Sequence, residues 1–272
     1  MIKVDCNTKL KNVSHVINEH SPSFSGIVNQ ECKGELWVDS IDEPKIAIAS
    51  SYAVGSYAFL GTYERPEVFL HLKDFLEKEL FARLRENGCE YFEFSVESEG
   101  IHDCILDMFK DKSPETEVEY SLRVNKAPVS KLPIQREYQV KKVDSVFWDQ
   151  LNKGAYENED FLRTRLLESW HSFEEFEARS IAYCVLFHHR IVAVMVGTAS
   201  FRNVIAIDIE TEEAHRRKGL AHAMAVAFIS DCLQKQLIPQ WDCVESNPTS
   251  YDMAKKLGFE KFKENTVYWF KL

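Results

Sequence analysis

The sequence predicts an α/β (α+β) fold built on a mixed, mostly antiparallel sheet with flanking helices, and three observations carry that reading. Apolar, β-branched runs face one another across short polar turns, as hairpin strands do. Later runs are separated by stretches whose apolar residues recur at helical spacing. The chain has 272 residues, 45% hydrophobic and 28% charged, which suits one large or two ordinary globular domains.

In the first half, Lys45 to Ala49 and Tyr57 to Leu60 are expected to be strands, and Phe69, Leu72, Leu76, Leu80 and Leu84 form one helical stripe. Glu90 to Val96 follows as a strand, Ile101 to Phe109 as a helix and Glu117 to Val124 as a last strand. The segment Asn125 to Pro133 holds two prolines among polar residues and interrupts any helix or central strand. Residues 1–126 are therefore expected to form an N-terminal α/β domain, 127–137 a linker and 138–272 a second domain.

In that second domain Tyr138 to Val143 is expected as a strand. Ser145 caps a short helix toward Lys153, and Asp160 opens another carrying Leu162, Leu166, Leu167 and Trp170. Ser180 to Phe187 and Ile191 to Val196 are two strands joined at His188-His189-Arg190, and Val204 to Thr211 is a third. From Gly219 the period changes: Ala221, Met224, Ala225, Phe228, Cys232 and Leu233 share one helix face, and Pro239 ends that stretch. A strand (Gln240 to Val244), a helix (Ser250 to Leu257) closed by Gly258, and two strands (Phe259 to Lys263, Val267 to Leu272) complete the chain. The element order of the first half echoes that of the second, either as two copies of one architecture, the first degenerate, or as a chance likeness of two α/β halves.

The formal net charge of -10 opposes a stable hold on nucleic-acid backbones, which depends on Lys and Arg, and it favours a cationic ligand such as an amine. No nucleic-acid or membrane partner is expected. The N-terminus carries no apolar run and no stretch approaches the ~18 apolar residues of a spanning helix, so a cytoplasmic location is expected. Seven scattered cysteines without ligand spacing are expected to be reduced thiols in or near cores, with no metal site.

The chemistry concentrates where the strand ending at Thr211 meets the helix beginning near Gly219. The first-turn N–H groups of a helix lack internal partners, so an anion can take several at once. Gly219 lets it approach the backbone, and Arg216, Arg217 and Lys218 add positive charge against the acidic average. The bland alternative is a solvated basic trio and a relaxed turn.

Arg216-x-x-Gly219-x-Ala221 resembles the pyrophosphate loop, (Gln/Arg)-x-x-Gly-x-(Gly/Ala), of the GNAT superfamily of acetyltransferases. Asn247-Pro-Thr-Ser250, followed by Ala254-Lys-Lys-Leu-Gly258-Phe259, resembles that family's second cofactor segment. The two motifs span about Ile205 to Glu260. More narrowly, Ile-Glu-Thr before Arg-Arg-Lys-Gly-Leu-Ala, with Pro239-x-Trp241-Asp242-Cys243, resembles a Gram-positive bacterial branch that includes zwittermicin A resistance-type acetyltransferases.

The resemblance implies a GNAT-type sheet and acetyl-CoA as co-substrate. It implies that backbone N–H groups of Arg217, Lys218, Gly219, Leu220 and Ala221 hold the pyrophosphate beside Arg216. The backbone from Ile209 to Thr211 would align the pantetheine arm, and Asn247 and Ser250 would meet the pantetheine region. Asn247 has an equal claim as a helix cap.

Transfer to an amine needs a base to take a proton from an ammonium. On the strand through Thr211, Ala206, Asp208 and Glu210 share one face and Ile205, Ile207 and Ile209 the other, which makes Glu210 the first candidate and Asp208 the second. A solvated or ion-paired face is the alternative. The family's usual tyrosine acid falls at Ala254 here, and Tyr251, one turn earlier, is the candidate substitute.

The expected function is direct acetyl transfer, in a ternary complex, to a primary amine of a small molecule. A cleft enclosed by two halves suits a small acceptor better than an open peptide groove. A protein or peptide N-acetyltransferase and a non-catalytic acyl-CoA-binding sensor are the rivals.

Overall fold

The computed structural model describes residues 1–5, 7–64, 66–126 and 133–272. The core of the expected linker, 127–132, lies outside the described residues. The chain forms two compact units. The first comprises Met1–Glu119, Val244–Ser246 and Glu264–Leu272, and the second Tyr120–Cys243 and Asn247–Lys263.

In the first unit, β1 (Ile2–Lys3), β2 (Glu35–Val38), β3 (Ile46–Ser51) and β4 (Ser56–Gly61) pair antiparallel in sequence order. β5 (Tyr91–Val96) then pairs parallel with β4, Tyr57–Phe59 against Phe94–Val96. A parallel neighbour requires a crossover, and helical residues 66–86 supply it. There the apolar stripe continues as expected, but the backbone does not. α2 (Pro66–Phe75) passes through a π-helical turn, Leu76–Leu80, into α3 (Phe81–Glu86). Phe69, Leu72, Leu76, Leu80 and Leu84 all remain buried through that change. α1 (Pro22–Val28) is a short, wholly buried helix absent from the sequence reading, and α4 (His102–Phe109) follows β5. An aromatic cluster fills this core, with Phe59, Phe92 and Phe94 in mutual contact and Phe81 against Phe92.

The second unit repeats the plan. β7 (Tyr138–Lys142), β8 (Ala182–Phe187), β9 (Arg190–Phe201) and β10 (Val204–Thr211) pair antiparallel, and β11 (Ile238–Val244) joins β10 in parallel. The crossover is α8 (Leu220–Gln234), whose apolar face buries Met224, Ala225, Phe228, Ile229 and Cys232. Between β7 and β8 lie α5 (Ser145–Asn152), α6 (Asp160–Ser169) and α7 (Phe173–Arg179), the last unforeseen. Asp144, not Ser145, caps α5, accepting from the Phe147 N–H at 2.9 Å; the acid stands one residue earlier in extended conformation, as an N-cap requires. Pro239 lies inside β11, five residues beyond Gln234, and Lys235 rather than the proline caps α8.

The chain's end departs from expectation. The two strands expected from Phe259 are one continuous strand, β12 (Glu260–Lys271). Its Val267–Lys271 segment pairs antiparallel with Tyr91–Ser95 of β5, which is why the last nine residues belong to the first unit rather than to a 138–272 domain. Tyr268 and Phe270 close the first unit's aromatic core against Phe94. The Tyr120–Arg123 end of β6 (Glu115–Arg123) belongs to the second unit, so each unit takes strand residues from the other half of the sequence.

Candidate functional site

The second unit's sheet is built to open at one place. β10 and β11 are paired only through Val204, Ile205 and Ala206 against Ile238, Pro239 and Gln240. Immediately after Ala206 the register with β9 shifts, Ala206 facing Ala199 and Ile207 facing Gly197, so Thr198 is the extra residue of a β-bulge. A bulge bends its strand and increases twist. Past this point Ile209, Glu210 and Thr211 line one wall of a cavity of about 560 Å³, and Trp241, Asn247, Thr249, Ser250 and Met253 line another. The floor is the turn into α8 and the helix's first residues: Arg216, Arg217, Gly219, Leu220 and Ala221.

The turn into α8 leaves its first N–H groups available. Gly219 is the N-cap at φ 77°, in the left-handed region, and the first helical bond runs from the Ala223 N–H to the Gly219 carbonyl at 3.0 Å. A Cβ at Gly219 would meet nothing within 4 Å, so there is open space at this cavity-lining residue. Arg217 also has positive φ, 61°. Unpartnered helix-terminal N–H groups facing open space beside arginines fit a pyrophosphate.

Two members of the basic trio are committed elsewhere. The Arg216 guanidinium donates through Nε to the Thr211 carbonyl at 3.0 Å, tying the loop's two ends together. Lys218 is absent from the cavity wall; its Nζ donates to the Tyr138 hydroxyl at 2.9 Å and lies 5.5 Å from that ring's centroid. Glu212, just after β10, accepts from Arg190 at 2.6 Å and from Asn158 at 3.1 Å, fixing the strand's end to the α5–α6 connection.

The second wall is shaped by a short chain of bonds. Asn247 caps α9 (Pro248–Lys256), accepting from the Ser250 N–H at 3.1 Å, and the Ser250 hydroxyl accepts from the Trp241 indole N–H at 2.8 Å. The helix cap and the cavity wall are thus the same residue.

The two candidate carboxylates diverge. Glu210 lines the cavity, whereas Asp208 does not. One guanidinium holds both: Arg165 of α6 bonds Asp208 through Nε at 3.0 Å and Glu210 through Nη2, while Nη1 donates to the Phe161 carbonyl at 3.1 Å. This ion-paired face is the alternative raised for these residues. Tyr251 is not on the cavity wall; its ring packs against Tyr120, centroids 5.2 Å apart, and Ala254 is fully buried. Arg165 and Tyr138 carried no signal for the site in the sequence, since the side chains they meet there, Asp208 and His215, lie 43 and 77 residues away. Among the described residues no three His, Cys, Asp or Glu side chains are grouped to hold a metal ion.

The GNAT acetyltransferase family model matches residues 14–268, and the chain belongs to that family. It is 33% identical over 102 residues to YdfB, an uncharacterized N-acetyltransferase of Bacillus subtilis, a match that covers 38% of this chain and 39% of that relative. The chain thus spans about two fifths of the length of the curated relative it matches. Among solved structures it resembles a GCN5-related N-acetyltransferase-like protein from Streptococcus suis, with TM-score 0.57 and 20% identity over 88% of each chain. It also resembles a tandem GNAT protein from the clavulanic acid biosynthesis pathway, with TM-score 0.58 and 9% identity over 99% of this chain and 97% of that one. These two likenesses are of fold, and the tandem neighbour accords with the repeated strand plan of the two units.

Among the described residues of the first unit no equivalent opening occurs. Where β4 and β5 would diverge, the Glu97 N–H bonds the Phe59 carbonyl at 2.9 Å and the Ser98 hydroxyl accepts from the Gly61 N–H at 3.0 Å.

Proposed function

We propose that the protein transfers the acetyl group of acetyl-CoA to a primary amine of a small molecule, in a ternary complex, with the cofactor in the opening between β10 and β11. The observation that carries this reading is the coincidence, in one cavity, of a strand end at Ile209–Thr211 that β11 leaves unpaired, a helix entrance at Gly219 and a carboxylate at Glu210.

In this reading the N–H groups of Arg217 to Ala221 bind the pyrophosphate, and the backbone of Ile209 to Thr211 pairs with the pantetheine arm. Asn247 and Ser250 bound the arm's far side. Glu210 takes the proton from the acceptor's ammonium, directly or through water, leaving the nitrogen lone pair to form the N–C bond as the C–S bond breaks. With Asp208, Glu210 and Arg165 together, the acceptor side carries one net negative charge, which supports a cationic acceptor. Positioning supplies most of the rate.

A second reading, an acyl-CoA sensor without turnover, draws on the acid step: Ala254 has no proton to give, and Tyr251 is turned onto Tyr120. The discriminating experiment follows CoA thiol release from acetyl-CoA across a panel of primary amines, with wild type and Glu210→Gln. Amine-dependent release that drops about 10²–10⁴-fold in Glu210→Gln supports the transferase. Cofactor binding with no release on any amine supports the sensor.

A further inference from the structure

The basic residue of the loop that turns away leaves a histidine in its place. Lys218 Nζ, which can only donate, gives a hydrogen bond to the Tyr138 hydroxyl at 2.9 Å. The same hydroxyl lies 3.0 Å from His215 Nδ1. With one acceptor position taken by lysine, the phenol can give its own proton to that nitrogen, an arrangement in which Nδ1 accepts and the imidazole carries its proton on Nε2.

The ring is held from the side as well. Its centroid is 5.7 Å from Tyr138, at 82°, and 5.1 Å from Phe187. Residues Glu213–His215 form a 3₁₀ turn whose N–H bond to the Glu212 carbonyl joins it to the anchored end of β10. His215 lines the cavity beside Arg216 and Arg217, where Lys218 does not.

We propose that His215 is a cofactor-binding residue that donates its Nε2–H to a phosphate of the CoA moiety, with the Lys218–Tyr138 pair fixing the tautomer and the ring's direction. The inference rests on the cofactor reading of this cavity. Burial first, and the nearby Lys218 second, hold the His215 pKa below the usual value, which keeps the ring neutral near pH 7 and leaves it one N–H to give. The phosphate is either the pyrophosphate or the 3′-phosphate, and both present the same acceptor oxygens. Tyr138 acts through His215 and is a positioning residue.

The test is calorimetric titration of the full chain with acetyl-CoA and, separately, with acetyl-3′-dephospho-CoA, in wild type, His215→Ala, His215→Gln and Tyr138→Phe. A hydrogen bond to a charged acceptor predicts a loss of roughly 10- to 100-fold in His215→Ala, with much of it restored in His215→Gln, whose amide N–H replaces Nε2–H. A loss seen equally with both ligands assigns the pyrophosphate, and a loss confined to acetyl-CoA assigns the 3′-phosphate. A nitrogen-15 spectrum of the imidazole gives a second readout, independent of binding: the Nε2–H tautomer in wild type, and a tautomer mixture in Tyr138→Phe. Unchanged affinity in His215→Ala, or an Nδ1–H tautomer in wild type, overturns the proposal. Failure of the wild type to bind acetyl-CoA at all counts instead against the cofactor reading of the cavity.

Discussion

Replacing Arg165 by methionine keeps an apolar stem over Phe161 and removes the charge that joins Asp208 to Glu210. The guanidinium is one quarter exposed and the two acids about two fifths exposed, so each pair is screened by solvent and worth at most about 1 kcal/mol. The repulsion between the two acids, roughly 7 Å apart by strand rise, is present with and without the arginine and cancels in the difference. The two lost pairs therefore predict a destabilisation of up to about 2 kcal/mol, or up to roughly 8 °C in Tm. Thermal melts of wild type, Arg165→Met, the Asp208→Asn/Glu210→Gln double variant and the triple variant measure it. Once the carboxylates are gone the arginine has nothing to join, so the triple variant should melt within about 1 °C of the double. The wild-type difference should also shrink in 1 M salt, where the Debye length is about 3 Å. An Arg165→Met cost that is the same with and without the carboxylates, and the same at high salt, refutes the clamp.

Four further outcomes follow from packing and ionisation. Gly197 stands on β9 where a Cβ would come within 2.2 Å of the Ser180 hydroxyl and 2.7 Å of Ile205, so Gly197→Ala should cost about 1–3 kcal/mol in a melt. Gly219→Ala meets open space and should cost only the left-handed backbone, about 1–2 kcal/mol. His215 has its pKa depressed in the folded state, so its contribution to stability is present above the ordinary histidine range and is lost as pH falls through it; the Tm difference between wild type and His215→Gln, followed from pH 7.5 to 5.5, should move against the wild type. Burial pushes the Cys184 thiol well up and that of Cys232 up to about 12, whereas Cys89 is exposed. Iodoacetamide should therefore label Cys89 in the native protein and reach Cys184 and Cys232 only on unfolding, as peptide mass mapping will show.

Much of the second unit was legible because its signals are local. Val204–Thr211 alternates along one strand, the α8 stripe has helical period, and the Gly219 turn and Asn247 cap are set by residues within a few positions of themselves. The loop motif gave the cavity floor for the same reason. Long-range partners were not legible. Arg165 meets Asp208 across 43 residues, and Tyr138 meets His215 across 77, and nothing at either end of such a pair marks the other. The motif promised three cations toward a phosphate, but Lys218 found a phenol held by a distant strand. Tyr251 shares a helix with the cavity-lining Ser250 and Met253, and helical geometry left its direction open until Tyr120 was seen to cover it. β12 illustrates the limit best. Glu264, Asn265 and Thr266 look like a turn between two strands, yet the strand runs through them, and a pairing partner more than 170 residues earlier cannot be read from composition.

The cofactor opening is the claim on which the other assignments stand, and titration of acetyl-CoA into the full chain by calorimetry, beside Gly219→Trp, tests it most directly. An indole at Gly219 would project into the cavity over the helix entrance. The account predicts saturable binding to the wild type that the variant loses while keeping its fold by circular dichroism. A wild type that does not bind, or a folded Gly219→Trp protein that binds as tightly, contradicts it.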